Sequence, residues 1–376
     1  MISENLTFFR ILLLMIFIYL CNSAEVLSQE GIDITYNYGS VVVHSPDIEP
    51  ISDNPVSGFS INYTFNNKHG EHWRKFYNYP NYGFNYIYKS YHNPDVLGDS
   101  HSLTAFLQVP FIKNRKHFDI GIKGLAGLGY FTNTYDSVTN PTNKAISTKL
   151  NITAELRLYS RIRLKPFYLE YALGLNHSSN GLVRSPNLGI NVFNNNFSLG
   201  YEFEDQKQRH EFHPTEKPPF IKNEIWAFVS TGFKQLKYDS RTYTFAGISL
   251  NYSKQISVIN KMGIGADFSR DRSYVTLAEH EYDYTGSDKL SYRFGMNIHN
   301  EFIMGAFGLY GAYGLYFGNE EYYIRQRYYK AGFKFYFNNF FGVVLIRAVP
   351  LFRAEVIEFG IGFRLTDKKQ RDSNGN

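Results

Sequence analysis

Alternation with a period of two residues runs through most of this chain, and it limits what the chain can fold into. In the C-terminal segment Ile357, Phe359, Ile361, Phe363 and Leu365 share one face, while Glu358, Gly360, Gly362 and Arg364 share the other. Successive residues of a strand point to opposite faces, so such a segment is a strand with one apolar and one polar surface. The same pattern covers Ile120 to Phe131 and Leu150 to Tyr159. It returns in Ala331 to Phe337, where Phe333, Phe335 and Phe337 alternate with Gly332, Lys334 and Tyr336. Repeated in segments of about ten residues, apolar positions alternating with polar or glycine positions are the pattern of a transmembrane β-barrel.

Composition narrows the choice further. Among 376 residues there are 31 Tyr and 33 Phe, too many aromatics for a disordered chain. After the first twenty residues no uncharged apolar run reaches the ~20 residues that a membrane helix needs, which excludes a helical membrane protein. The net charge is +5 and the basic residues are scattered, which argues against a nucleic-acid partner. The expectation is an all-β, transmembrane antiparallel barrel of about 14–16 strands. About eight strands fall between Asp33 and Glu204 and six to eight more between Lys222 and Leu365. One barrel is the preferred architecture, with eight strands plus a second barrel as the alternative.

Met1 to Arg10 and the apolar Ile11 to Leu20 read as a signal peptide over residues 1–28, cut before Gln29, with Asn22-Ser23-Ala24 as a competing cleavage site. The single cysteine, Cys21, would leave with it, and the bulky Tyr19-Leu20 before it speak against a lipoprotein. Residues 29–204 form the first barrel half, 205–221 a polar, proline-containing loop, 222–365 further strands and 366–376 a polar tail.

One hairpin carries chemistry. The strand that enters it alternates Phe167, Leu169, Tyr171, Leu173 and Leu175 on its apolar face, and the period continues to His177 and Ser179. The strand that leaves it carries Asn191, Phe193, Asn195, Phe197, Leu199 and Tyr201 on one face. Pairing His177 with Asn191 also pairs Leu175 with Phe193, Tyr171 with Phe197 and Phe167 with Tyr201, so the apolar sets stay together. A serine nucleophile needs a base within hydrogen-bond reach and a third group that orients the base. His177 and Ser179, about 6.6–7 Å apart at Cα, meet that need on one face, with Asn191 across the ladder. Asn180 and Gly181 at the turn are candidate oxyanion donors. For Ser178, Gly181, Ser185 and Pro186 taken singly, an ordinary polar turn is the better reading.

The pattern His177-x-Ser179-Asn180, then Pro186-Asn187-x-Gly189, with Asn191 twelve positions after the serine, resembles the outer-membrane lipid A 3-O-deacylases of the PagL type. The resemblance is most specific over Tyr168 to Phe203 and does not extend to the second half. It implies an eight-stranded barrel whose lipid-facing triad removes an acyl chain from lipopolysaccharide. His177 would be the base, Ser179 the nucleophile and Asn187 a helper near the oxyanion, while that family carries Glu where this chain has Asn191. The motif also resembles outer-membrane phospholipase A, a larger barrel with a Ser-His-Asn triad and calcium-dependent dimeric activity.

The expected function is therefore a serine esterase acting on lipid A in the outer membrane, with no cofactor. The alternatives are a phospholipase, for which calcium is possible, and a catalytically silent barrel acting as a pore or scaffold. His69/His72 and His210/His213 are spaced as loop histidines rather than as a zinc-protease helix, and no metal site is assigned to them. Glu170 and Glu202 are expected in the lumen, and Tyr322, Tyr323, Tyr328 and Tyr329 in an interfacial girdle.

Overall fold

The computed structural model describes residues 28–66, 72–112, 117–203, 221–237, 239–282, 288–317, 326–349 and 353–368. All of the expected signal peptide but Ser28, nearly all of the 205–221 loop, His69, His210, His213, Tyr322, Tyr323 and most of the polar tail lie outside these residues. Sixteen strands are described. Strands β1 (Ser28–Val41), β2 (Pro55–Asn66), β3 (Asn81–Ser90), β4 (Asp99–Pro110), β5 (Phe118–Phe131), β6 (Leu150–Leu164), β7 (Phe167–Ser179) and β8 (Ile190–Glu202) come first. Strands β9 (Ile221–Leu236), β10 (Asp239–Ser257), β11 (Asn260–Asp271), β12 (Tyr292–Met304), β13 (Phe307–Phe317), β14 (Arg327–Phe337), β15 (Phe340–Val349) and β16 (Arg353–Lys368) follow. A short helix α1 (His72–Phe76) lies between β2 and β3, and α2 (Ser273–Tyr282) lies between β11 and β12.

These strands close as two antiparallel barrels of eight, not as one barrel of sixteen. In the first, β8 returns to β1, with Ile32 opposite Tyr201 and Tyr36 opposite Phe197. In the second, β16 returns to β9, with Ile361 opposite Val229. The strand total matches the expectation, but the preferred single barrel gives way to its alternative. The reason is visible in the lumen. A barrel of sixteen strands encloses water, whereas eight strands leave room only for side chains. The inward residues here are bulky enough to fill that space.

In the first barrel Tyr168 donates to Asp33 at 2.7 Å, Arg161 pairs with Glu170 at 2.7 Å, and Arg163 joins Asp119 and Glu202 at 2.6 and 2.9 Å. Glu170 and Glu202 thus occupy the lumen, as the alternation requires. In the second barrel Trp226 lies between Tyr310 and Phe341 with Lys334 over its ring, and Arg347 pairs with Glu358 at 2.6 Å. Tyr328 is a correction: it is fully buried and donates to Asp267 in the second lumen, because its strand parity points inward, while its neighbour Tyr329 faces out. Outside, the surface is apolar, with Leu103 64% and Ile361 73% exposed. Charges compensated inside and hydrocarbon outside are the reverse of a soluble protein's arrangement.

Candidate active site

β7 and β8 are joined by residues 180–189 at one end of the first barrel. Beneath that end lies a buried cluster that includes Val41, Ile48, Ile51, Ile146, Ile190 and Val192. Ile190 and Val192 point into it, so Asn191 between them is turned to the exterior. The hairpin has the register the alternation implied: His177 opposite Asn191, Leu175 opposite Phe193 and Phe167 opposite Tyr201. Ser178 turns inward and donates to Thr153 Oγ1 at 2.9 Å. His177 and Ser179 point outward.

His177 Nδ1 lies 2.7 Å from Asn191 Oδ1, and its Nε2 lies 3.0 Å from Ser179 Oγ. An amide oxygen can only accept, so Nδ1 carries the proton and Nε2 presents its lone pair to the Ser179 hydroxyl. Asn191 is held from its other side as well. Its Nδ2 donates to His44 Nδ1 at 3.1 Å, and His44 Nε2 then donates to the Leu188 carbonyl, also at 3.1 Å. His44, between β1 and β2, escaped the sequence reading because it lies 147 positions from Asn191. The signal that could have found it is barrel closure, since an eight-stranded barrel sets β1 beside β8.

Gly189 is a second residue to which the sequence reading gave no role. Its φ is +73°, and a Cβ there would come within 2.7 Å of His177 Cε1 and 3.3 Å of Ser179 Cβ. Only glycine leaves the imidazole its place.

The turn residues divide differently from expectation. Asn180 does not offer its groups to Ser179: its backbone N–H donates to Asn187 Oδ1 at 3.2 Å. Its side-chain amide donates to Ser147 Oγ at 2.9 Å and to the Arg184 carbonyl at 3.0 Å. Asn180 braces the loop, because its parity turns it inward beside Ser178. Among the described residues, Asn187 Nδ2 and the Gly181 N–H keep their protons uncommitted.

The model of the family described as lipid A 3-O-deacylase (PagL) matches residues 57–202, and that of the acyloxyacyl hydrolase C-terminal domain matches residues 223–368. The chain belongs to the PagL-type lipid A deacylase family. PagL-type membership makes it a bacterial outer-membrane β-barrel protein from a family of acyl hydrolases, and the two matches divide it where the two barrels divide. Among curated proteins none matches the sequence. Solved structures with some likeness are outer-membrane barrels. CdiB from Acinetobacter baumannii is 9% identical at TM-score 0.19, over 90% of this chain and 60% of that one. The β domain of the Bordetella autotransporter BrkA is 10% identical at TM-score 0.22, over 89% of this chain and 98% of that one. Scores this low carry no argument about this PagL-type chain.

A look-alike of the site lies inside the second barrel. Ser253 Oγ is 2.9 Å from His299 Nε2, and His299 Nδ1 is 3.2 Å from Asn297 Oδ1. Trp226 Nε1 donates to the same serine at 2.7 Å. All three residues are buried in a lumen filled by Trp226, Tyr310 and Phe341, so this array braces the interior. Access separates the two arrays more than bond geometry does.

Proposed function

We propose that the protein is an outer-membrane serine esterase that removes acyl chains from lipid A, with Ser179 as nucleophile, His177 as general base and Asn191 as the group that orients the base. The observation that carries this reading is the chain of two hydrogen bonds, 2.7 and 3.0 Å, from Asn191 through His177 to Ser179 on the barrel's exterior. Such a chain makes a serine hydroxyl nucleophilic at neutral pH. His177 Nε2 takes the proton of Ser179 as Oγ attacks the ester carbonyl, and it returns that proton to the departing sugar oxygen. Water, deprotonated by His177, then cleaves the acyl-serine to free fatty acid. Asn187 Nδ2 and the Gly181 N–H are the donors for the oxyanion.

The outward position of the site suits a substrate that never leaves the bilayer. At the site's end the connections run to 13, 8, 18 and 10 residues in the first barrel and to 2, 20, 9 and 3 in the second, whereas at the opposite end they run to 14, 7 and 2 in the first and to two residues each at β10–β11, β12–β13 and β14–β15. Short turns mark the periplasmic side of such barrels, so the site faces the outer leaflet, where lipid A resides. The packed lumens speak against a pore.

Mass spectrometry of lipid A from cells expressing each variant tests the reading. Ser179→Ala abolishes deacylation, while Ser178→Ala, in the lumen, leaves most of it. Equal losses in both would refute the assignment of faces. Asn at position 191 keeps glycerophospholipid as a second substrate reading. Parallel assays on phospholipid, with calcium and with a chelator, separate the two.

A further inference from the structure

The loop that follows Ser179 is held by the other barrel. Gln235, near the end of β9, donates its backbone N–H to the Leu182 carbonyl at 2.7 Å. Its side-chain Oε1 accepts the Ser185 N–H at 3.1 Å. The rest of that side chain is fixed, because Nε2 donates to the Ser240 carbonyl at 3.1 Å and to Thr242 Oγ1 at 3.3 Å. A third contact lies one strand away. Ile357 of β16 belongs to the exterior face, where Phe359, Ile361 and Leu365 are well exposed, yet it is only 6% exposed itself. Gly181 lies against it: φ there is +63°, and a Cβ would overlap Ile357 Cδ1. Residues 181–185 are thus pinned at Gly181, Leu182 and Ser185 by side chains and backbone of the second barrel.

We propose that the second barrel positions the oxyanion loop of the first, with Gln235 and Ile357 as positioning residues for the reaction. This rests on the esterase reading of Ser179 given above. A surface loop free at its tip samples many conformations, and the oxyanion donors must be in place before the charge develops. In the first barrel the loop is tied through Ser147, Lys144 and Ala145 of the β5–β6 connection and, at Leu188, through His44 of the β1–β2 connection. The clamp from Gln235 fixes the other side, next to Gly181. Since oxyanion donors act chiefly in the transition state, loosening them lowers kcat more than it raises KM.

The test uses the full-length protein, folded in detergent, with purified lipid A as substrate. Gln235→Leu keeps the bulk but removes the acceptor for Ser185, whereas Gln235→Glu keeps that acceptor. The expected result is a kcat about ten-fold lower for Gln235→Leu with KM little changed, as the loss of one positioning hydrogen bond implies. Gln235→Glu should stay within about three-fold of the parent. Ile357→Ala should fall in kcat like Gln235→Leu. Heat-modified gel mobility shows that each variant retains folded barrels. Parental kcat in both Gln235→Leu and Ile357→Ala, with Ser179→Ala inactive, overturns the clamp while leaving the esterase reading intact. An active Ser179→Ala overturns both. Equal losses in Gln235→Leu and Gln235→Glu also overturn the clamp, because the acceptor would then be irrelevant.

Discussion

His44 joins the site through a single amide. Asn191 offers its oxygen to His177 and its nitrogen to His44, so one amide links the two imidazoles. A neutral amide orients the base but adds no charge to the imidazolium that forms, so the penalties for truncation should grade along the chain. His177→Ala should lower kcat by about 10³-fold or more, as expected for removing a general base. Asn191→Ala should cost roughly ten- to hundred-fold, since Nδ1 loses its partner but the base remains. His44→Ala should cost about three- to ten-fold, the worth of one orienting hydrogen bond. Initial rates on lipid A at matched amounts of folded protein test the order. Asn191→Glu, which restores the carboxylate of the PagL-type motif, should retain activity in the same assay.

Within the elements, β6 is the strand that ties the first lumen together. Its inward positions carry Glu155, Arg157, Arg161 and Arg163, each two residues apart or a multiple of two, and all are buried. Arg161 pairs with Glu170 on β7 and donates to Gln108 on β4 at 3.1 Å, so one side chain links three strands inside the lumen. Removing one partner of a buried pair leaves an uncompensated charge, at a cost of about 3–5 kcal/mol. Arg161→Met should therefore destabilise the first barrel by that amount, read as a lower urea midpoint for loss of heat-modifiable mobility. The double variant Arg161→Met/Glu170→Met should recover most of it. On the exterior of the same strand Leu156 and Leu158, 60% and 53% exposed, carry no such network, and Leu156→Val should shift the midpoint little.

For the whole molecule, two sealed lumens make a direct prediction. Tyr168, Arg161, Lys123 and Arg157 occupy the first interior, and Trp226, Lys334, Tyr310 and Tyr328 the second. Reconstituted into planar bilayers, the protein should show no steady ion-conductance steps. Discrete steps in the recordings would revive the reading of this chain as a pore. The second barrel's role is then external, at the seam where Gln235 and Ile357 meet the loop of the first.

Strand existence, strand parity and the hairpin register were legible in the sequence because they are local. A period of two assigns Ser178 inward and Ser179 outward with no knowledge of the rest of the chain, and keeping Leu175 with Phe193 leaves one register. Closure was not legible, because sixteen strands in one barrel and in two barrels have the same alternation. Which strand meets β1 is settled by pairing across some 170 residues and by whether the inward side chains fill the space. Their bulk, in Trp226, Tyr168 and Tyr310, was a clue to small barrels that periodicity alone does not weigh. His44 beside Asn191, Asn180 braced on Ser147, and Gly181 against Ile357 all depend on that closure or on contact between the barrels. Sequence order holds no record of such contacts, because the residues become neighbours only when the strands curl and the two cylinders meet.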